Sequence, residues 1–497
     1  MIPLINVYYY GEVNIEYWEW ALSVVYVFLL FIFFARRKKM MLKEHPEYKF
    51  YVWGMIAKLV GGVAFSLIYF YYYNGGDTIA YFYSAVALRN LAFIDILQFF
   101  DVLFGESTIE RWSLFTYETG RPYLWLYFDH RTFFVVRLIS PIVLLTFNSY
   151  LITTLLIASF SYLGAWSCYR TFCSYFPQIR GQLATAFLFM PSVLFWGSGI
   201  MKDTITFTAV CWWIHAVDEV FFKRQGQVKN SVIIVLSALM MIVVKPYIFM
   251  VLFPVSLLWI LYFRIVGIRN VLIKFVLLPF MVVMLIGLSF FVLDRLGEHF
   301  DKFALDSALE TIRVTQADMV RTDVYGANAF DIGTIENSWS SVFSKFPLAV
   351  NAALFRPYIW EARSVVVALS GLENFWVLLV TVFTLLRVGP VFLFRSMGGN
   401  PILLMCLTFA FLFAFVVGVT TPNFGALVRF KIPMVPFYIG ALYIVNYLAV
   451  IKRARTRNAL PFDLIEFRRG TAHIPHRTRA ERSRTGLPLR RRTAIAS

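Results

Sequence analysis

The sequence predicts an all-α fold, a polytopic transmembrane helical bundle of about eleven spans with membrane-surface helices in its first external loop. Three observations carry this. Of 497 residues, 59% are hydrophobic and 15% charged, against about 45–50% and about 25% in an ordinary soluble domain. The apolar residues gather into runs of about 20, the length a helix needs to cross the hydrocarbon core of a bilayer. The basic residues fall in alternate loops between those runs, as Lys and Arg do when they collect on the cytoplasmic side. A single soluble core stops growing beyond roughly 250–300 residues. A mean hydropathy of +0.68 over this length therefore excludes a soluble enzyme, a disordered chain and a disulfide scaffold. The 52 Phe, 27 Tyr and 13 Trp suit lipid contact and interfacial belts.

The apolar runs lie at 18–35, 51–73, 150–168, 183–200, 204–222, 230–245, 247–264, 272–293, 372–388, 401–420 and 432–450. A further run, 132–148, is decided by charge. Arg36, Arg37, Lys38 and Lys39 follow the first span, which puts that loop inside and the N-terminus outside. If 132–148 does not cross, Arg170, Arg180, Lys223, Arg224, Lys229, Arg264, Arg269, Lys274, Arg387 and Arg395 all fall inside with the basic tail. If it crosses, several flip outward. It therefore reads as a re-entrant or membrane-surface helix. No basic region precedes the first apolar stretch, which argues against a cleaved signal peptide.

The chain then divides into an extra N-terminal span with its basic loop (1–50), a transmembrane module (51–293) holding the first external loop (74–149), a second external segment (294–371), the last spans (372–451) and a tail (452–497). Within the first external loop, 91–104 mixes apolar residues with Asp95 and Asp101, a pattern suited to a helix lying on the membrane surface. The second external segment carries ten Asp and Glu from Asp294 to Glu361. The tail has thirteen basic residues against three acidic, a net +10. It is poor in large apolar residues and reads as disordered. Its charge suits anionic lipid on the cytoplasmic face rather than nucleic acid. Cys168, Cys173, Cys211 and Cys406 show neither zinc nor disulfide spacing, and the six His form no ligand pair.

Three places offer chemistry. Asp77 follows Asn74-Gly75-Gly76 just past the second span. An ionisable residue at the mouth of a span is a functional candidate by default, although an N-cap role accounts for an aspartate there too. Lys202 and Asp203 end the small-residue stretch Trp196-Gly197-Ser198-Gly199. They offer a cation and a base or metal ligand. The plainer reading is a tight hairpin in which Asp203 caps the next helix and pairs with Lys202. Arg429 and Lys431 stand outside the last span, against the positive-inside trend. A specific anionic partner explains that, since Arg presents a planar fork to phosphate and Lys a point charge. Interfacial snorkelling explains it too. Arg356, Trp360 and Glu361 form a weaker candidate, better suited to packing.

With these residues in view, the chain resembles the integral-membrane glycosyltransferases of the GT-C superfamily, which include the protein mannosyltransferases and the lipid A aminoarabinose transferases. Gly76-Asp77 with Tyr81 is similar to that family's acidic residue in the first external loop, and Asp203 to a second acidic residue at the next external turn. Arg429, Lys431, Pro433 and Pro436 resemble its terminal basic and proline segment. The likeness runs over roughly residues 50–450. The departures are the extra N-terminal span and a single Asp in the first loop.

The resemblance implies a GT-C-like fold in the cell membrane with its active site on the extracytoplasmic face. The donor would be a sugar on a polyprenyl phosphate or diphosphate, and the acceptor a glycan, a lipid or a protein. Asp77 would be the general base, Asp203 a second catalytic residue, and Arg429, Lys431 and Lys202 the cations that bind the donor phosphate. A divalent cation such as Mg²⁺ or Mn²⁺ is the one cofactor in question, and Asp77 or Asp203 would hold it. The competing readings are a polysaccharide polymerase or ligase, a lipid-linked oligosaccharide flippase or other transporter, and a non-catalytic scaffold. Transport would favour ionisable residues at mid-span and paired broken helices. The sequence reads as having few of the former and no repeat.

Overall fold

The computed structural model describes residues 14–266, 305–321, 329–333, 335–336 and 338–458, with the single positions 280, 284 and 287. Among the described residues the regular structure is helical, apart from one isolated β-bridge between Ala329 and Asn423. Nine helices among them are long and apolar enough to cross a membrane. The fold is that of an all-α, multi-pass membrane bundle.

The chain begins with α1 (Tyr17–Met41) and α2 (Tyr51–Leu67), the latter continued by a π-helical turn (Ile68–Tyr72). The first loop folds into α3 (Asp77–Ile94), α4 (Ile96–Phe104), α5 (Ile109–Ser113), α6 (Leu124–Tyr127) and α7 (His130–Leu145). Next come α8 (Tyr150–Tyr175), α9 (Arg180–Leu188), α10 (Pro191–Trp196), α11 (Lys202–Val217), α12 (Gln227–Val244) and α13 (Pro246–Val266). The later part has α14 (Leu305–Met319), α15 (Trp339–Ser344), α16 (Phe346–Phe355) and α17 (Val365–Val388). It ends with α18 (Pro390–Gly399), α19 (Pro401–Thr420), α20 (Phe424–Phe430) and α21 (Val435–Asn458).

The core runs through α2, α8, α11, α19 and α21, where Tyr51, Tyr162, Phe172, Phe207, Phe409 and Phe437 are buried. Helix α1 lies at its edge with Val24, Phe28, Leu29 and Phe33 exposed, an apolar surface that suits lipid. It is held by buried Glu19, which accepts a hydrogen bond from Ser149 Oγ at 2.6 Å, and by the Tyr26 hydroxyl, which donates to Leu145 O. Helix α4 is two-sided. Phe99 and Val102 are buried, while Leu97, Phe100 and Phe104 face outward.

Contacts between helix termini sort the bundle into two ends. At one, Ser149 meets Glu19, Thr78 meets Tyr150, and Lys245 meets Asp203. At the other, Arg170 meets Glu47, Lys223 meets Asp218, and Arg453 donates to the Arg387 carbonyl. The basic loops between spans gather at this second end.

Two expectations change, that of one helix over 183–200 and that of few charges at mid-span. The run 183–200 is not one helix. It is broken between Leu188 and Pro191, because proline lacks the N–H for the helical ladder and disfavours a helical residue before it. The run 132–148 forms α7, which is 16 residues long with Pro141 inside it. It packs along α3 and is not among the nine long apolar helices. The reading of few mid-span charges overlooked Lys58, which sits within the apolar helix Pro46–Tyr72 and is only 2% exposed. The expected span at 272–293, much of the 294–371 segment and most of the tail lie outside the described residues.

Candidate functional site

Asp77 owes its place to the turn before it. Asn74, Gly75 and Gly76 have φ of 48°, 146° and 113°, so the chain leaving the end of α2 reverses in a region that glycine enters without a Cβ penalty. Gly76 is the residue that caps α3, and Asp77 is its first helical residue. The N-cap reading of Asp77 is thereby corrected. Its carboxylate is 43% exposed and has Oδ2 at 3.4 Å from Nη1 of Arg429.

Asp203 is treated in the opposite way. It is the second residue of α11, behind the cap residue Met201, and its side chain is 3% exposed. Oδ1 accepts a hydrogen bond from Lys245 Nζ at 2.5 Å. Oδ2 lies 3.2 Å from Arg429 Nε. That N–H is not aligned as a hydrogen bond, so the contact is ionic. Asp203 therefore neither caps its helix nor pairs with Lys202, as the hairpin reading required. Lys202 turns the other way, to Asp129 Oδ2 at 3.3 Å and to the Thr132 hydroxyl.

These contacts form a line of alternating charge, Asp77, Arg429, Asp203 and Lys245, drawn from α3, α20, α11 and the α12–α13 turn. Lys202 and Asp129 stand beside it. Lys245 packs on the Phe430 ring at 3.8 Å, and Tyr69 stands beside Arg429. Burial by itself disfavours the Arg429 charge. The Asp203 carboxylate, with Tyr69 and Asp77, nonetheless holds the guanidinium above its ordinary range. At Asp129 burial pulls upward, but Lys202 and the Thr132 hydroxyl leave the carboxyl below its ordinary value.

Asp77, Lys202, Asp203 and Arg429 thus converge at one end of the bundle, the end opposite the basic loops. Lys431 does not join them. The expectation that Arg429 and Lys431 face the same space is corrected. The two leave the end of α20 on different sides, and Lys431 is buried with Nζ donating to Asn374 Oδ1 at 2.6 Å and to the Arg356 carbonyl. It lines a small cavity with Glu373, Leu354, Val377 and Tyr438. Burial pushes the Lys431 ammonium down to about 8, against the pull of Glu373. Arg356 is held by both oxygens of Glu361 and lies over the Phe330 ring, as a packing role requires.

Sequence reasoning missed Asp129 and Lys245. Lys245 carries a readable signal. It is a cation between two apolar runs at the end away from the basic loops, the same anomaly that singles out Arg429. Asp129 carries none, since an aspartate that caps α7 through Arg131 N looks like any other cap.

Among the described residues no three His, Cys, Asp or Glu side chains gather as a metal-binding group. Both oxygens of Asp203 are engaged by cations, so its geometry fits charge balance rather than a divalent ion. Asp77 and Asp129 are the half-exposed carboxylates here. The four cysteines are buried and unpaired. No protein-family model, curated protein or solved structure matches the chain.

Proposed function

We propose that this protein is a membrane glycosyltransferase that moves a sugar from a polyprenyl-phosphate or -diphosphate donor to a glycan, lipid or protein acceptor on the extracytoplasmic face. The observation that carries the reading is a half-exposed carboxylate, Asp77, tied to a buried cluster through Arg429. The basic loops at the far end support the sidedness, because the positive-inside rule puts them in the cytoplasm. Such a donor keeps its chain in the bilayer and its phosphate at the interface, at the level where these span ends meet water.

In this reading a donor phosphate oxygen takes the place of the Asp77 carboxylate on Arg429. Asp77, released, accepts the proton of the acceptor hydroxyl. The hydroxyl oxygen forms its bond to the anomeric carbon as the bond from that carbon to the phosphate oxygen breaks. The electron pair leaves with the polyprenyl phosphate, whose charge Arg429 and Lys202 stabilise. One direct displacement inverts the anomeric centre. Asp203 and Lys245 keep the Arg429 fork aimed.

The test is transfer by purified protein from a short-chain prenyl-phosphate sugar, read by mass spectrometry. One sugar added per prenyl phosphate released supports transfer, and joined repeat units indicate a polymerase or ligase. The break between α9 and α10 and the mid-span Lys58 favour a second reading, lipid-linked glycan transport. Movement of the intact donor across vesicles, with no bond broken, would establish that instead.

A further inference from the structure

The break in the chain between α9 and α10 is held from both sides by ionisable groups inside the bundle. Pro191 opens α10, and the ends of a six-residue helix leave backbone groups unpaired. At its start, Glu373 of α17 accepts hydrogen bonds from Ser192 N and Ser192 Oγ, each at 2.6 Å. At its other end, Lys58 of α2 donates to the Val193 carbonyl at 2.9 Å. Lys58 and Glu373 do not touch the charged line of Asp77, Arg429, Asp203 and Lys245, and both are buried.

The neighbours show that α10 is gripped and not merely covered. A Cβ on Gly61 would come 2.1 Å from the Leu194 carbonyl oxygen, so α2 meets α10 at backbone distance. Ser198 Oγ donates to the Lys58 carbonyl, Ser161 Oγ to the Gly197 carbonyl, and Thr204 Oγ1 to the Trp196 carbonyl. The segment these bonds fix runs directly into Lys202 and Asp203.

We infer that Lys58 and Glu373 are positioning residues, which clamp α10 at its two ends and thereby set where Lys202 and Asp203 meet Asp129 and Arg429. A buried ionisable group inside a span is costly. Here Glu373 takes up the Ser192 N–H that the start of α10 leaves free, and Lys58 adds a second donor to the Val193 carbonyl, which also accepts from Gly197 N. The inference concerns how the site is held and stands for any chemistry performed there.

Hydrogen exchange of the full-length protein in detergent tests it without reference to activity. Lys58→Met and Glu373→Ala are expected to speed exchange of the amides in 197–205 about tenfold while α8 and α19 stay unchanged. Glu373→Gln, which still offers an acceptor to Ser192 N, is expected to stay near the parent. Ser192→Ala removes a single hydroxyl and folds under milder demands. It is expected to give an intermediate effect, about threefold. Where transfer is measurable, kcat falls in Lys58→Met and Glu373→Ala with the donor KM little changed, and Glu373→Gln restores it. Unchanged exchange in Lys58→Met, Glu373→Ala and Ser192→Ala would overturn the inference. So would a Glu373→Gln variant as disturbed as Glu373→Ala, or proton flux across vesicles that Glu373→Gln stops.

Discussion

Arg429 and Asp77 are 352 residues apart in the chain and 3.4 Å apart in the fold. Of the ion pairs in the line this is the longest, and it has the more exposed carboxylate. Exposed pairs are worth little, because water competes for both charges. It is therefore the pair an incoming anion can exchange, while the Asp203 side of Arg429 stays in place.

Asp77→Asn keeps a side-chain oxygen at the start of α3 and removes basicity. Transfer is expected to fall by about 10²–10⁴, the usual worth of a general base. Abundance and melting should stay near the parent, since Gly76 rather than Asp77 occupies the cap position. Turnover per folded protein with a defined prenyl-phosphate sugar checks this. Near-parent turnover would leave Asp77 a surface partner of Arg429.

Arg429→Lys keeps the charge but loses the fork that reaches Asp77 and Asp203 together. Rate is expected to drop, and Arg429→Ala to drop further, by about 10²–10³. A snorkelling residue would tolerate Lys freely. Equal turnover of both variants and the parent would remove Arg429 from the chemistry.

Asp203 and Lys245 should show the asymmetry of buried ion pairs. Breaking one partner strands the other charge and costs about 3–5 kcal/mol, whereas replacing both with apolar groups is often neutral. Asp203→Leu leaves Lys245 and Arg429 facing each other across an apolar side chain and is expected to lower the melting temperature sharply. Adding Lys245→Met should recover much of that loss. Thermal melts in one detergent decide it. A double variant no better than the single would mean that the cluster is not electrostatically closed.

Lys431 carries a pH signature. Its folded value is pushed down to about 8 from an ordinary 10.5. Between those values the unfolded chain binds more protons than the folded one, so this residue makes stability rise with pH across that window and contributes no slope below it. Lys431→Met should lack that rise. Melting temperatures of parent and variant at intervals from neutral pH to above 10 measure it. Parallel curves would show that Lys431 does not titrate there.

Topology is open to single-cysteine labelling, helped by four native cysteines that are all buried. Glu118→Cys, in the exposed first loop, is expected to react with an impermeant reagent from outside. Lys229→Cys, at the basic end, should react only after the membrane is opened. The reverse pattern would invert the orientation and place the charged cluster in the cytoplasm.

The charged residues show what is legible in the sequence and what is not. Asp77 and Arg429 were each visible alone, because a charge beside an apolar run is conspicuous at any distance from its partner. Lys431 carried the same signal as Arg429 and yet turns into the cavity beside Glu373. The backbone stays helical through Lys431, so residues two apart leave on different faces, and only the packing of α20 decides which face meets the cluster. Lys245 and Lys58 are equally readable, each a lone cation in or between apolar runs. Asp129 was not readable at all, because its meeting with Lys202 exists only once α7 packs along α3 and reaches α11.

The sequence by itself determined that this chain is a bundle of apolar helices, where most of them begin and end, and which of its loops are basic. Those properties follow from local composition, since a helix satisfies its own backbone and about 20 apolar residues suffice to cross a bilayer. Only the tertiary structure decided that Asp77, Arg429, Asp203 and Lys245 form one line, that Lys202 pairs with Asp129 instead of its neighbour, and that Lys58 and Glu373 grip a broken helix. These are contacts between groups from separate helices. Their geometry is set by how the helices pack, with backbones meeting at Gly61 and chain direction turning at Gly76 and Pro191.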